Sequence, residues 1–280
     1  MKMGRSGRRL RTAAAILLVV LLGALPAIGE TLREEFSQTF SLSPGGAVSL
    51  RNTNGDLDFT SWARNEVRIE ATKIVKAMGR GRAEDLMEKL EIEIVHDGDS
   101  LVVKTVFPQR NSALGWLFGR GVDAKVSYRV TLPLEVELDA HTVNGDVDVA
   151  SVTGAIDART TNGQIHIREL AGTARARTTN GSIRAELQKV NGASDCEFRT
   201  TNGGITLFVP ETLGAEVVAT TTTGAVNTDF AVLERSGSSR WRRKSLKGEI
   251  NGGGSKLTLV TTNGSIQLRR LGAGDASESN

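Results

Sequence analysis

The chain has 280 residues, enough for one large domain or two ordinary ones with a substantial core. Aromatic residues make up only 4% and glycine numbers 31, a composition that favours small stacked side chains over a globule built on large ones. The excess of positive charge is local: residues 1–29 hold five of the 35 Lys and Arg residues and no acid, which leaves 30 bases against 32 acids. This near balance removes the main support for a nucleic-acid partner.

Residues 1–29 have the three parts of a secretory signal peptide. A basic stretch over Lys2–Arg11 precedes an apolar run over Ala13–Leu25, and Ala27-Ile28-Gly29 supplies small residues before a cleavage point at Glu30. The alternative is an uncleaved membrane anchor, but the apolar run is short for a ~20-residue span. No Cys follows it to carry a lipid. We therefore expect a periplasmic or secreted protein with no stable membrane span after cleavage.

Residues 30–140 predict a β-rich N-terminal part that contains one short helix. Period-two alternation predicts strands at Glu66–Ala71, Glu91–Val95, Leu101–Phe107 and Ala124–Leu134, and helical spacing predicts a helix over Arg82–Leu90. Asp97-Gly98 lies between two of these strands and predicts a hairpin. One early copy of a repeated motif, Asn52–Gly55, lies in the same part of the chain.

The repeated motif is Thr-Thr-Asn-Gly, and it recurs along residues 141–271. Full or variant copies end at Gly145, Gly163, Gly181, Gly203, Gly224 and Gly264. Another glycine stands about midway between several successive copies, so the repeating unit is two strands and two turns in about 18 to 22 residues. We expect the threonines to line the interior. The asparagines should hydrogen-bond from coil to coil at a corner where Asn and Gly accept left-handed backbone angles.

Alternation around each motif predicts which side chains face the core. The expected inward pairs before the motif are Val48/Leu50, Leu138/Ala140, Ile156/Ala158, Ala174/Ala176, Cys196/Phe198, Val217/Ala219 and Leu257/Leu259. Those after it are Val147/Val149, Ile165/Ile167, Ile183/Ala185, Ile205/Leu207 and Ile266/Leu268. One such coil buries too little to fold alone, so coils must stack with hydrogen bonds between successive rungs.

These features predict an all-β, right-handed parallel β-helix, with an N-terminal antiparallel hairpin region and one short helix. The alternative is an antiparallel meander, because Asn-Gly is also a strong hairpin turn. The expected divisions are a signal peptide (1–29), the N-terminal β-rich part (30–140), the β-helix repeats (141–271) and a disordered tail (272–280).

Two segments leave their roles open at this stage. The Trp116–Phe118 loop is an apolar contact patch if exposed, or a cover over one open end of the core. The Arg240–Lys244 cluster could meet lipid head groups or acidic polysaccharide, or it is a solvated loop on a slightly acidic protein.

The sequence offers no catalytic, cofactor-binding or metal-binding residues. The three histidines, His96, His141 and His166, fall on different coils or columns and predict no shared metal site. Cys196 has no partner for a disulfide and is expected to be a buried, inert thiol. The pairs Asp56/Asp58 and Asp146/Asp148 are interpreted as solvated, because calcium β-rolls need a denser motif.

One outward column is richer in charge than the others. It holds Arg51, His141, Arg159, Arg177 and Arg199. Asp157 lies two residues before Arg159, and Glu197 lies two residues before Arg199. This face either binds an anionic glycan or compensates its own charge. The same acids would have to serve a carbohydrate-active enzyme, although the outward columns show no carboxylate cluster.

The chain resembles a bacterial family of exported, putative-adhesin domains built from β-strand repeats, whose function is unassigned. The resemblance rests on Asn54–Leu57, followed by Trp62 and Glu66-Val67, on Thr131-Leu132-Pro133, and on Gly252–Gly254 with Thr261–Ile266. It implies a β-helix and carries over no catalytic residues.

The expected function is a non-enzymatic binding or structural module of the cell envelope, without a cofactor. The expected partner is an envelope glycan or an envelope protein. A carbohydrate-active β-helix enzyme is one alternative, and an envelope-stress sensor that acts through a protein partner at the Trp116–Phe118 loop is another.

Overall fold

The structure is a computed structural model that describes residues 30–107, 123–189, 195–234 and 244–272. The predicted signal peptide, the Trp116–Phe118 loop, residues 240–243 of the basic cluster and the tail beyond Gly272 lie outside these residues.

Twenty strands and one short helix form in the described part, so the chain is nearly all-β as predicted. The N-terminal elements are β1 (Glu30–Ser41), β2 (Gly46–Arg51), β3 (Leu57–Trp62), β4 (Glu66–Ala77), α1 (Arg80–Lys89), β5 (Glu91–Asp97), β6 (Ser100–Val106) and β7 (Asp123–Pro133). The middle elements are β8 (Val136–His141), β9 (Val147–Ala150), β10 (Thr153–Arg159), β11 (Ile165–Arg177), β12 (Ile183–Lys189), β13 (Cys196–Asn202) and β14 (Ile205–Val209). The last elements are β15 (Ala215–Thr223), β16 (Val226–Thr228), β17 (Leu233–Glu234), β18 (Ser245–Ile250), β19 (Ser255–Asn263) and β20 (Ile266–Arg270).

The strands pair in two long ladders. The first ladder runs in the order β5, β6, β2, β8, β10, β11, β13, β19, β15, β18, β17. The second runs β1, β4, β7, β3, β9, β11, β12, β14, β20, β16. Pairing is parallel in the middle of both ladders. It is antiparallel at both ends of the first ladder and at the β1 end of the second, whereas β16 pairs with β20 in parallel. The chain therefore forms a solenoid-like stack with the predicted antiparallel hairpin region. The right-handed sense of its coils stays a prediction.

The order of the coils in space differs from their order in the sequence. The early copy, β2 and β3, lies between the β6–β7 coil and the β8–β9 coil. At the other end, β19 and β20 lie between the β13–β14 coil and the β15–β16 coil. A strand pair near the start of the described chain and the pair that ends it are therefore both internal in the stack.

The core fills the space between the two ladders and confirms the predicted inward positions. Every side chain of the twelve predicted pairs is buried. In most pairs that contain an alanine, the other member is a larger residue. The motif threonines Thr142, Thr160, Thr178, Thr200, Thr221 and Thr261 are also buried. Helix α1 begins two residues earlier than predicted and places Ala83, Leu86 and Met87 against this core.

Strand β1 was not predicted from the sequence. Its inward positions hold Leu32, Phe36 and Phe40, but Glu34 and Gln38 share the same parity and weaken the alternation. The strand forms because it pairs with β4 along its whole length, a long-range contact that local pattern cannot show.

The Thr-Thr-Asn-Gly corner is joined by two sets of side-chain bonds. Each motif threonine donates its hydroxyl to a glycine carbonyl of the neighbouring coil, as Thr178 does to Gly163 at 2.9 Å and Thr200 to Gly181 at 2.8 Å. The asparagines form a continuous amide ladder through Asn54, Asn144, Asn162, Asn180, Asn202 and Asn263, with each Nδ2 2.7–2.8 Å from the next Oδ1. The amide ladder and the inward position of the threonines match the prediction, whereas the hydroxyl bonds to the glycine carbonyls were not predicted.

The role of the glycines differs in part from the prediction. Positive φ angles of 122–158° occur, as predicted, at Gly55, Gly145, Gly203, Gly224 and Gly264, but none of the motif asparagines has one, and neither do Gly163 and Gly181. A β-carbon on Gly181 would instead lie 1.9 Å from the carbonyl oxygen of Gly163. Glycine is required because two backbones come close together across the rungs, more than because the chain adopts a left-handed angle.

This contact predicts the effect of filling one corner. Gly181→Ala should lower the free energy of unfolding by about 3 kcal/mol, because the added methyl group forces two stacked backbones apart. Urea unfolding followed by circular dichroism measures the change. Gly81→Ala is the matched control, since no atom lies within 4 Å of its added carbon and it lies in α1. A Gly181→Ala protein as stable as the control would contradict the close-approach explanation.

The amide ladder predicts a difference between its middle and its end. Asn180→Ala removes two ladder bonds and should cost about 1–2 kcal/mol, whereas Asn263→Ala removes one and should cost about half as much. The same unfolding measurement compares the two variants. Equal losses of unfolding free energy in the two variants would contradict the assignment of this stabilisation to the ladder hydrogen bonds.

Candidate functional site

The outer surface of the first ladder carries two polar columns, which the strand register aligns. The first is the predicted column Arg51, His141, Arg159, Arg177 and Arg199, and each of these residues pairs with the next on the adjacent strand. The second, two residues earlier, holds Ser49, Asp139, Asp157, Arg175 and Glu197. Basic side chains of the first column therefore stand beside acids of the second.

These neighbours form ion pairs in most coils. Arg51 lies 3.5 Å from Asp139, and the Nε of Arg159 donates to Asp157 at 2.9 Å. Asp139 also accepts a hydrogen bond from Ser49 at 3.3 Å. Each arginine of the basic column thus contacts a carboxylate within the protein, as the self-compensating interpretation of this face expects, although three arginines share Glu197.

Glu197 is the centre of the densest cluster. Arg177 lies 2.6 Å from one of its oxygens and Arg175 3.4 Å from the same oxygen, while Arg199 contacts the other. Burial alone would raise the pKa of Glu197, but the hydrogen bonds from Arg199 and Arg177 outweigh it and hold this pKa below the ordinary glutamate value. Glu197 is therefore ionised at neutral pH and cannot serve as a general acid there.

A groove of about 380 Å³ lies beside these columns, over strands β2, β8, β10 and β11. Small side chains at one outward position, Ala47, Ala155 and Thr173, leave the space open. Polar and charged side chains surround it: Ser49, Ser100, Glu137, Asp139, Asp157, Arg175 and Asp195. Four carboxylates against one guanidinium make the groove a surface of hydrogen-bond acceptors.

The sequence prediction missed this groove. Its signal was present in the column two residues before the acids, where alanine or threonine occurs instead of a long side chain in three coils. The sequence analysis considered the basic column, because the same residue type repeats there. It did not consider the neighbouring column, in which the side chains are short.

The structure separates the three histidines. His96 packs edge-on against Phe40 in the N-terminal hairpin region, with ring centroids 5.5 Å apart. His141 lies on β8 in the first ladder, whereas His166 pairs with neighbours in the second ladder and its Nδ1 is 3.3 Å from Asp148. Within the described ranges, no three His, Cys, Asp or Glu side chains are grouped closely enough to hold a metal ion.

The aspartate pairs do more than the solvated interpretation predicted. Asp56 accepts the backbone N–H of Asp146 at 3.1 Å, and Asp146 accepts that of Gln164 at 2.7 Å. Asp58 lies 3.7 Å from Arg129 on the adjacent strand. These carboxylates join one coil to the next, so the solvated interpretation is incomplete.

Cys196 is a free thiol in the core, as predicted. Burial raises its pKa, so the thiol stays protonated and poorly nucleophilic at neutral pH.

A model of the family described as Toastrack DUF4097 matches residues 45–269, most of the chain, so this protein belongs to that family. The resemblance to putative-adhesin repeat domains is thereby confirmed at the level of the family. No curated protein matches the chain. None of the described helices is long and apolar enough to cross a membrane.

Several solved structures are similar over most of their length. A putative cell adhesion protein from Clostridium sporogenes is 14% identical, with 84% of this chain and 99% of that chain covered and a TM-score of 0.44. A putative adhesin from Bacteroides fragilis is 11% identical, with 85% and 97% covered and a TM-score of 0.37. A putative lipid binding protein from Parabacteroides distasonis is 9% identical, with 85% and 96% covered and a TM-score of 0.28.

The cluster around Glu197 predicts a pH-dependent contribution to stability. A lowered folded pKa stabilises the protein above the ordinary pKa of glutamate, and this contribution is lost as the pH falls through the folded pKa. Glu197→Gln should therefore lower the free energy of unfolding by on the order of 1 kcal/mol at pH 7. The difference from the wild type should disappear in strong acid. Urea unfolding at a series of pH values measures it, and a difference independent of pH would contradict the ion-pair account.

Proposed function

We propose that this chain is an exported, non-enzymatic binding module of the cell envelope, and that the groove on the first ladder is its ligand site. The predicted signal peptide supports export. The groove itself carries the proposal, because it is a preformed concave surface with polar groups that converge on it.

The polar groups of the groove favour one class of ligand. Carboxylates accept hydrogen bonds from hydroxyl and ammonium groups, and adjacent strands present them about 4.8 Å apart. Asp139 and Asp157 lie opposite each other on neighbouring strands, so acceptors repeat along the groove. A neutral or amine-bearing envelope glycan fits this arrangement better than an anionic one.

The basic column supports the same choice of ligand. Arg51, Arg159 and Arg177 already contact Asp139, Asp157 and Glu197, respectively. An anionic glycan at this column would have to replace these internal ion pairs. Glu137 and Asp195 of the groove belong to none of these pairs, so their carboxylates can accept hydrogen bonds from a ligand without such a cost.

The carbohydrate-active enzyme has less support. A glycosidase needs one carboxyl group that stays protonated near neutral pH, and the pKa of Glu197 is shifted in the opposite direction. In the same column, Arg175 lies between Asp157 and Glu197, because its strand β11 pairs with β10 on one side and with β13 on the other. The two carboxylates are therefore not on adjacent strands.

We also infer that the coils wind right-handed, the sense that parallel crossovers adopt in nearly all known cases. We also propose that the chain divides as predicted, with segment boundaries after residues 29, 140 and 271.

Binding to defined glycans tests the groove. The protein should bind oligomeric glucosamine or dextran more tightly than polygalacturonate in isothermal titration calorimetry. Glu137→Gln with Asp195→Asn, two exposed groove positions, should weaken this binding at least about tenfold, because two acceptors for charged or hydroxyl donors lose their charge. Asp85→Asn with Glu88→Gln on α1 makes the same charge change away from the groove and should leave binding unchanged.

Three results would count against the proposal. If the protein bound none of these glycans and also did not bind purified peptidoglycan, the proposed binding function would be wrong. Preferential binding to polygalacturonate, lost in Arg159→Ala with Arg177→Ala and Arg199→Ala, would move the site to the basic column. Release of new reducing ends, abolished by Asp157→Asn or Glu197→Gln, would make the protein an enzyme.

A further inference from the structure

Strand β1 forms one end of the second ladder. It pairs with β4 over all twelve of its residues, from Glu30 opposite Ala77 to Ser41 opposite Glu66. No strand in the described part of the chain pairs with its other side. A long strand with an unpaired edge is a template for another strand, and proteins usually shorten, bend or charge such edges.

The inward side of β1 is incompletely covered. Leu32, Phe36 and Phe40 pack against the core but remain only partly buried. On the neighbouring β4, by contrast, Val67 and Ile69 are fully buried. One further strand alongside β1 would place apolar side chains next to these three.

The charges on β1 do not block this edge, because each has a partner within its own copy. Arg33 lies 2.8 Å from Glu35 on the same strand, and Glu34 lies 2.9 Å from Lys73 on β4. Glu30 lies 3.9 Å from Arg80 of α1. The charged side chains that would otherwise discourage pairing are thus largely compensated.

We propose that two copies of this chain associate by antiparallel pairing of their β1 strands, about a two-fold axis at Phe36. In this register Leu32 faces the partner's Phe40, and Phe36 faces the partner's Phe36. On the outer side, Arg33 faces the partner's Thr39, and Glu35 faces the partner's Ser37. Between the apolar pairs on the inward side, Glu34 faces the partner's Gln38. No two like charges stand opposite each other, and the two-fold axis repeats every contact, as a self-complementary interface requires.

One other register and the corresponding edge of the first ladder are less suitable. A two-fold axis at Glu35 would place this carboxylate opposite its own copy. Strand β5, the equivalent edge of the first ladder, has seven residues, and pairing about Ile94 would set Glu91 opposite the partner's Asp97. The length and charge pattern therefore single out β1.

Such a dimer goes beyond the proposed binding function and does not depend on it. If the groove also binds glycan, a dimer presents two grooves, and binding to a polymer gains from the second attachment. Failure of either idea would leave the other intact, because self-association is measured without a glycan.

Sedimentation equilibrium of the full chain, processed by its own host and purified without glycan, tests the proposal over a range of protein concentrations. The wild type should sediment as a monomer–dimer mixture. Ser37→Glu puts a second carboxylate opposite the partner's Glu35 at both symmetric positions, and should raise the dimer dissociation constant at least about tenfold. Ser37 is exposed, but it lies opposite Glu70 of β4 in its own copy. Circular dichroism and thermal unfolding therefore have to show that β1 still pairs with β4 in this variant.

Thr39→Glu is the comparison variant, because it makes the same charge change on the same face of β1, although its own neighbour on β4 is Arg68 instead of Glu70. In the proposed register it faces the partner's Arg33, so the dissociation constant should stay the same or fall. A wild type that is monomeric at every concentration would overturn the proposal. A dimer that Ser37→Glu and Thr39→Glu weaken equally would also overturn it, because the interface would then lie elsewhere or in another register.

Discussion

Adjacent coils come very close together at the Thr-Thr-Asn-Gly corner, where the carbonyl oxygen of one glycine lies 1.9–2.2 Å from the place that a β-carbon would occupy on the next. This approach allows each threonine hydroxyl to reach the glycine carbonyl of its neighbour. It also brings the side-chain amides of successive asparagines within hydrogen-bond distance. Backbone spacing, hydroxyl bonds and amide ladder are therefore three results of one steric requirement, which only glycine meets in every coil.

The regular spacing at this corner also arranges the outer surface. Because the coils are held in one register, residues at equal distances before the glycine form straight columns on the first ladder. Charged columns form where the repeat places Arg and Asp, and the groove forms where it places Ala or Thr. A surface of this kind is defined by differences between coils, since an identical residue in every coil would give a uniform stripe with no local site.

The sequence predicted the parts of this fold that depend on local pattern. The inward residues, the threonine and asparagine columns and the hairpin of β5 and β6 follow from alternation and motif spacing alone. The order of the coils did not, because the choice between neighbours rests on contacts between residues up to ninety positions apart, such as that of Asn144 with Asn54. Strand β1 was missed for a similar reason, and the groove was missed because it results from the absence of long side chains.

The interleaved order of the coils has a consequence for how the molecule is completed. A simple repeat stack grows from one end, and each finished coil is a template for the next. Here the β15–β16 coil is separated from the β13–β14 coil by strands that the ribosome makes later, β19 and β20. The last two strands must enter between two coils that precede them in the chain. Without β19 and β20, the β13–β14 coil and the β15–β16 coil would have no strands between them to join the two into one stack.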